Sequence, residues 1–358
     1  MNNSFAKEGM TCYLERFSQT AIPGIQYWVV DANQAIFEYA GGWADIRNRK
    51  PMKPDTTQMA YSMTKTWTAA AILQLMEREQ LGLDDEIDHY LPHNPYNQHI
   101  TIRHLISHTA GIPNPIPLRW VHLAEEHEQF DENAALAKVL RDNPKLSSQP
   151  GKKYAYSNIG YWLLGAIIEA VTQQTYTDYM REHVLKPLGL AKRNMDFIIP
   201  DVTNHAQGYL RKYSVLNLVK GLVTDRKMWG RYEGNWLQVN HHYVNGPAFG
   251  GLVGSAQAFS LLLQDQLRES SVLFGQETKR LFYTQQIDRS GEFIQMTPGW
   301  HIGDLDGLTY FFKEGGGGSF HSEMRIYPTR EIASVIMVNS TQFKSNSFLS
   351  GLDKVFLQ

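Results

Sequence analysis

Ser62-Met63-Thr64-Lys65 places an alcohol and an amine three residues apart, at the start of a run with helical periodicity. On a helix, positions i and i+3 share a face, so the Lys65 amine can reach the Ser62 hydroxyl. A serine alcohol is a poor nucleophile until a base takes its proton, and a lysine whose charged form is disfavoured can be that base. At a helix start, unpaired N–H groups and the positive dipole end suit a developing oxyanion. Ser-x-x-Lys alone is weak, since about one chance match is expected in a chain this long. Indeed a second copy stands at Ser4-Phe5-Ala6-Lys7.

Two further groups add to it. Tyr156-Ser157-Asn158 carries a phenol and an amide on one side of an extended segment. The phenol can move protons, and the amide can orient a lysine or a substrate carbonyl. A decoy of the same form is Tyr243-Val244-Asn245. Lys313-Glu314-Gly315-Gly316 offers a cation at a strand end, followed by glycines that let backbone come close to a bound group. Each of the two also has a plain structural reading: a capped helix entry for the first, an exposed hairpin turn for the second. Taken in order, the three motifs are far more specific than any one of them.

The elements that must position these groups are legible in outline. Residues 24–32 and 35–40 read as strands, and 62–80 as a helix with Trp67, Ala71, Ile72, Leu75 and Met76 on its apolar face. Ile159, Trp162, Leu163, Ala166, Ile167 and Ala170 give the clearest helical stripe of the chain. Another helix is expected over 256–267. Strands are expected over 298–303, 308–313, 320–327 and 332–339, then a terminal helix over 347–356. Strands at both ends of a helical middle imply an α/β (α+β) architecture. Its parts are a sheet domain from 1–83 and 245–358 and an inserted, mostly helical domain over 84–244, with a possible flap at 209–243. Within the flap, the run 215–223 (VLNLVKGLV) reads as a buried segment in preference to an interfacial helix.

Composition narrows the function class. The chain has 358 residues, 42% hydrophobic and 20% charged, with a net charge of −2. Those proportions suit a folded globular protein and argue against a nucleic-acid partner, which needs clustered basic surface. A lone cysteine, Cys12, leaves no disulfide framework and no cysteine-based zinc site. His104 and His108 are four apart and His241 and His242 adjacent, but packing is the expected role and no metal or cofactor is called for. No signal peptide or membrane-length apolar run is visible, so a cytoplasmic protein without a transmembrane segment is expected. Oligomeric state is not encoded in these features.

The ordered motifs resemble those of the penicillin-recognising serine hydrolases: class C β-lactamases, D-alanyl-D-alanine carboxypeptidases, D-aminopeptidases and β-lactamase-like esterases. The resemblance extends through Leu81-Gly82-Leu83-Asp84-Asp85, the segment from Thr101 to Gly111 that is similar to the family's "LLxHTSG", Pro150-Gly151, Pro187-Leu188-Gly189-Leu190 and the segment from Pro247 to Leu252. It selects Ser62 and Tyr156 over Ser4 and Tyr243. It implies a β-lactamase/transpeptidase-like fold with Ser62 as the acylated nucleophile and Lys65 and Tyr156 as the proton-transfer pair. Asn158 would position Lys65 or the substrate, Lys313 would support Tyr156, and Gly315 and Gly316 would line the oxyanion side, with the N–H groups of Ser62 and Gly316 as donors. One departure matters. Glu314 stands where the family carries a threonine or serine that helps bind a substrate carboxylate. A carboxylate facing the pocket would repel β-lactams and D-peptides and favour neutral esters, although strand alternation allows Glu314 to point away. The expected function is therefore acyl-enzyme hydrolysis of a small-molecule acyl substrate, foremost an ester. A β-lactamase or D-amino-acid peptidase, an acyltransferase, and a non-catalytic binder or sensor are the alternatives.

Overall fold

The computed structural model describes residues 3–96, 98–117, 119–190, 194–223, 225–341, 343 and 345–358, with the side chains of 3–6, 219, 222 and 223 outside that description. Its centre is an eight-stranded antiparallel sheet in the order Met296–Thr297, Trp300–Leu305, Leu308–Gly316, His321–Tyr327, Ile332–Val338, Gly24–Val30, Ala35–Asp45, Lys50–Pro51. The two ends of the chain meet in the middle of it, where Ile25 pairs with Val338 and Val30 with Ala333. Gly24–Val30 is buried along its whole length, which explains a run of apolar residues instead of clean alternation: both faces are covered. One face packs under the helices Asn3–Thr20 and Ser345–Asp353, through Met10, Leu14, Tyr27, Ile336, Val338 and Leu349. Against the other lies Ala256–Leu267, with Trp28 and Val335 in the larger core.

The helix Thr64–Glu77 is the element nearest that core, and every residue from Thr64 to Leu75 is buried. The expected single apolar face is thus an underestimate, because the helix is enclosed on all sides. Its polar residues survive burial by bonding to neighbouring segments. Thr66 Oγ1 donates to Gly299 O at 2.8 Å, Thr68 Oγ1 to Ala248 O at 2.7 Å, and Thr64 Oγ1 accepts from Leu252 N at 3.1 Å. Those three bonds clamp the helix to both the sheet and the segment 247–252. Asn158–Thr172 packs beside it, with Trp162, Leu163 and Ile167 in the same apolar cluster as Trp67 and Ile72. Trp67 and Trp162 are core residues, as expected.

Residues 208–239 form a small unit of their own, with strands Gly208–Arg211, Trp229–Glu233 and Trp236–Val239 in one sheet and a helix over Val215–Val223. Here the expectation of a buried 215–223 segment is corrected. Leu216 reaches the small cluster of Leu210, Leu237 and Val239, while Val215 is 74% and Leu218 82% exposed. A nine-residue helix on a three-stranded sheet has only one side covered.

Candidate active site

The turn Tyr61–Met63, immediately before Thr64–Glu77, carries Ser62. Tyr61 adopts φ = 46°, in the left-handed region that a bulky L-residue seldom occupies. Its ring is what holds the turn: Tyr61 Oη lies 2.9 Å from Ser319 Oγ and 3.1 Å from His242 Nε2. A side chain on Gly317 would collide with this ring. The bent backbone lifts Ser62 out of the buried helix to the wall of a cleft, where it is half-buried.

Lys65, one turn on, is fully buried, and its amine meets three oxygens: Ser62 Oγ at 2.9 Å, Asn158 Oδ1 at 2.8 Å and Phe249 O at 2.7 Å. Burial, reinforced by the Lys313 ammonium, pulls its pKa well below the usual lysine range. A neutral amine has two N–H groups and one lone pair. The Asn158 amide oxygen and the Phe249 carbonyl can only accept, so they take both N–H groups. The lone pair is left for the Ser62 hydroxyl proton. Geometry and burial together therefore aim the Lys65 lone pair at the Ser62 hydroxyl.

Tyr156 approaches Ser62 from the other side, its Oη donating to Ser62 Oγ at 2.7 Å. Burial raises this phenol above its ordinary value, with the Ser62 hydrogen bond opposing, so at neutral pH it carries its proton. Ser157 caps the helix Asn158–Thr172 by accepting from Gly160 N at 3.0 Å. It is fixed in turn by Ser157 N donating to His108 Nδ1 at 3.2 Å, and the His108 ring lies 4.4 Å from the Tyr156 ring. The segment 101–111 thus positions the middle motif through His108. As for the expected packing role, His104 Nδ1 accepts from Thr101 N at 3.1 Å and His242 bonds to Tyr61.

Lys313 is buried on the strand Leu308–Gly316, with its Nζ 5.1 Å from the Tyr156 ring centroid and no hydrogen-bond acceptor among the described residues. Desolvation lowers it to about 7. Glu314, one residue on, turns to the other face of the sheet. It pairs in register with Glu323 on the terminal-helix side and binds His321 Nε2 at 2.8 Å. Alternation thus points the carboxylate away from Lys313 and onto His321, a residue of the cleft wall. Gly315 departs from its expected role. It is absent from the cleft wall, and a side chain there would run into the Ala60 carbonyl oxygen. Its bareness serves the packing of the Lys313 strand on the Ser62 turn. Gly316 does line the cleft. Gly317 N donates to Phe320 O at 3.2 Å, so antiparallel alternation makes Gly316–His321 a non-hydrogen-bonded pair. The Gly316 N–H then points past the opposite edge, where the neighbouring strand's pairing has already ended at His301–Phe312.

Several participants carried no sequence signal of their own. Phe249 contributes a carbonyl, which any residue has. His301 sits beside Tyr156, rings 6.4 Å apart, with Nε2 3.0 Å from Tyr154 Oη. Burial and the two lysines hold it neutral, lowering it to about 2. The decoys lie elsewhere: Tyr243 Oη accepts from Ile199 N, and the Ser4 side chain falls outside the described residues. Among the described residues no group of three or more His, Cys, Asp or Glu is placed to hold a metal, and no helix is long and apolar enough to cross a membrane.

The cleft at Ser62 encloses about 490 Å³. Its walls include Ile116, Trp120, Leu216, Met228, Trp229, Val239, Val244 and Phe249, and among the described residues none that lines it is Asp, Glu, Lys or Arg. Leu216, Met228, Trp229 and Val239 come from the 208–239 unit, which therefore forms one wall.

Comparison with known proteins places the fold and the family. Penicillin-binding protein 4* of Bacillus subtilis (strain 168) is 26% identical over 301 residues, 83% of this chain and 63% of that protein. Protein flp of Staphylococcus aureus (strain MW2) is 34% identical over 174 residues, 47% of this chain and 34% of the relative, so the chain spans about a third of its length. The octameric penicillin-binding protein homologue from Pyrococcus abyssi superposes with a TM-score of 0.76 at 22% identity, covering 100% of this chain and 77% of that one. A class C beta-lactamase gives 0.75 at 17% identity, covering 100% and 97%. EstCE1, described as a hydrolase with promiscuous acyltransferase activity, gives 0.73 at 21%, covering 99% and 98%. The family model named Beta-lactamase matches residues 3–352, and with nearly the whole chain matched, the protein belongs to the beta-lactamase family of serine hydrolases.

Proposed function

We propose that the protein hydrolyses neutral, apolar acyl esters through an acyl-enzyme on Ser62. The observation that carries this is the placement of Ser62 Oγ within hydrogen-bonding reach of both Lys65 Nζ and Tyr156 Oη, at 2.9 and 2.7 Å. In the acylation step Lys65 takes the hydroxyl proton as Ser62 Oγ bonds to the ester carbonyl carbon. The oxyanion sits between the N–H groups of Ser62 and Gly316. Collapse breaks the bond to the alkoxy group, which leaves as the alcohol after receiving a proton from Tyr156, with Lys65 returning one to the phenol. Water then attacks the acyl carbon by the same relay in reverse. Asn158 and the Phe249 carbonyl orient the Lys65 lone pair. Lys313, beneath the Tyr156 ring, favours any negative charge that develops on the phenol.

The preference for neutral substrates rests on the cleft wall. A β-lactam or a D-Ala-terminated peptide would bring a carboxylate into a space whose described lining holds no Lys or Arg and with no hydroxyl at position 314. An unpaired charge there costs several kcal/mol in desolvation (about 3–5 on removal of one partner of a buried pair). Transfer to an alcohol in place of water is the second reading, favoured by the apolar walls, which bind organic acceptors better than water.

A serine-directed fluorophosphonate is expected to add its mass to the peptide holding Ser62, and Ser62→Ala to abolish that labelling. Labelling that persists in the alanine variant removes Ser62 from the mechanism. Short-chain p-nitrophenyl esters, a chromogenic cephalosporin and D-alanyl-p-nitroanilide, run side by side, test the substrate class. Turnover of the cephalosporin above that of the esters overturns the ester reading.

A further inference from the structure

The 208–239 unit has two faces with different tasks. Leu216 points to the Ser62 cleft, while one turn of the same helix leaves Val215 and Leu218 in solvent, next to Tyr213, which is 81% exposed. Across the cleft mouth, Ile116 lines the cavity and is itself 78% exposed. Exposed large apolar residues in one patch mark an interaction surface, whereas scattered single ones do not. The charge around them is one-sided. Residues 208–239 hold six Lys/Arg and two Asp/Glu, in a chain of net charge −2. Arg211, Lys212, Arg226 and Arg231 are exposed, Lys227 is paired with Glu126, and Lys212 lies 5.5 Å from the Tyr213 ring centroid and 5.7 Å from that of Tyr232. A short amphipathic helix with aromatic and aliphatic residues outward and basic residues at its flanks is suited to the boundary of an anionic lipid layer.

We infer that residues 208–239 dock on an anionic bilayer surface, seating Tyr213, Val215 and Leu218 among the acyl chains and the flanking Lys and Arg residues at the headgroups. The occupant follows from charge complementarity and from continuity with the substrate cleft, whose wall is the other side of the same helix. Docking places the cleft mouth at the source of an apolar acyl substrate. That consequence rests on the ester reading above; the docking itself does not.

The test is flotation of the full chain with vesicles of pure phosphatidylcholine and of phosphatidylcholine containing about 30% phosphatidylglycerol. Partition to the anionic vesicles is expected, and its loss at about 0.5 M salt, where the screening length shrinks to about 4 Å. Tyr213→Ser/Val215→Ser/Leu218→Ser and, separately, Lys212→Glu/Arg226→Glu are each expected to weaken partition about tenfold or more, with unchanged thermal melting and unchanged turnover of soluble p-nitrophenyl acetate. Absence of partition, equal partition to both vesicle types, or full binding by the triple variant overturns the inference. So does capture by soluble polyglutamate without vesicle binding, which would mean an acidic polypeptide partner. Ser62→Ala is expected to float like the wild type, so failure of the hydrolase reading and failure of docking are read separately.

Discussion

Replacing Asn158 with aspartate tests the argument that Lys65 is a neutral base. The substitution keeps side-chain size and replaces only the amide nitrogen, giving a carboxylate whose Oδ1 already lies 2.8 Å from Lys65 Nζ. A carboxylate there attracts the ammonium form by about 6 kcal/mol at an effective dielectric of about 20, which corresponds to an upper bound of about 4 pH units. Desolvation of the new carboxylate opposes this, so a rise of about 2 units in the Lys65 pKa is the working expectation. The sign follows directly. Lys65 serves as base only when deprotonated, so raising its pKa moves the acidic limb of the kcat/KM profile toward alkaline pH. At pH values below both limbs the loss is then about 10²-fold, and it shrinks to nothing as pH rises past the shifted limb. The assay is p-nitrophenyl ester hydrolysis between pH 5 and 10 (about one point per half unit). If Asn158 merely contacted substrate, kcat/KM would fall by one factor at every pH. A uniform fall, or an acidic limb that stays in place, refutes the neutral-base argument.

The remaining expectations are simpler. Lys65→Ala and Tyr156→Phe are each expected to lower kcat by about 10²–10⁴, the range for loss of a proton-transfer group; a change confined to KM would assign them to binding. Gly315→Ala drives a methyl into the Ala60 carbonyl oxygen and is expected to cost about 1–3 kcal/mol of stability or more, read as a lowered Tm; an unchanged melt would mean that the strand and the Ser62 turn can separate freely. Leu216→Trp narrows the cleft from its 208–239 wall, so kcat/KM for long-chain esters falls relative to acetate. An unchanged chain-length profile would place the acyl group elsewhere.

Much of this protein could be read from its residues in order. Ser62, Lys65, Tyr156, Asn158, Lys313 and Gly316 stand out by type and order as groups that acyl transfer could use, and the family resemblance chooses Ser62 and Tyr156 over their copies and implies the oxyanion role of Gly316. The outline of strands, with a helix between them, follows from periodicity. Tertiary structure decided the rest, for reasons that spacing does not contain. Whether Lys65 is a base depends on its burial and on the carbonyl of Phe249, 184 positions away, and a backbone oxygen has no sequence signature. Glu314 could face either side of the sheet until its register with Glu323 was known. Gly315 and Gly316 look alike in sequence, yet Gly315 packs against the Ala60 carbonyl while Gly316 borders the cleft, and spacing does not say which does which. The helix Val215–Val223 has an apolar composition suited to a core, but no second layer covers Val215 and Leu218. Local sequence sets what a segment can do; only its neighbours in space determine which of its faces is left to do it.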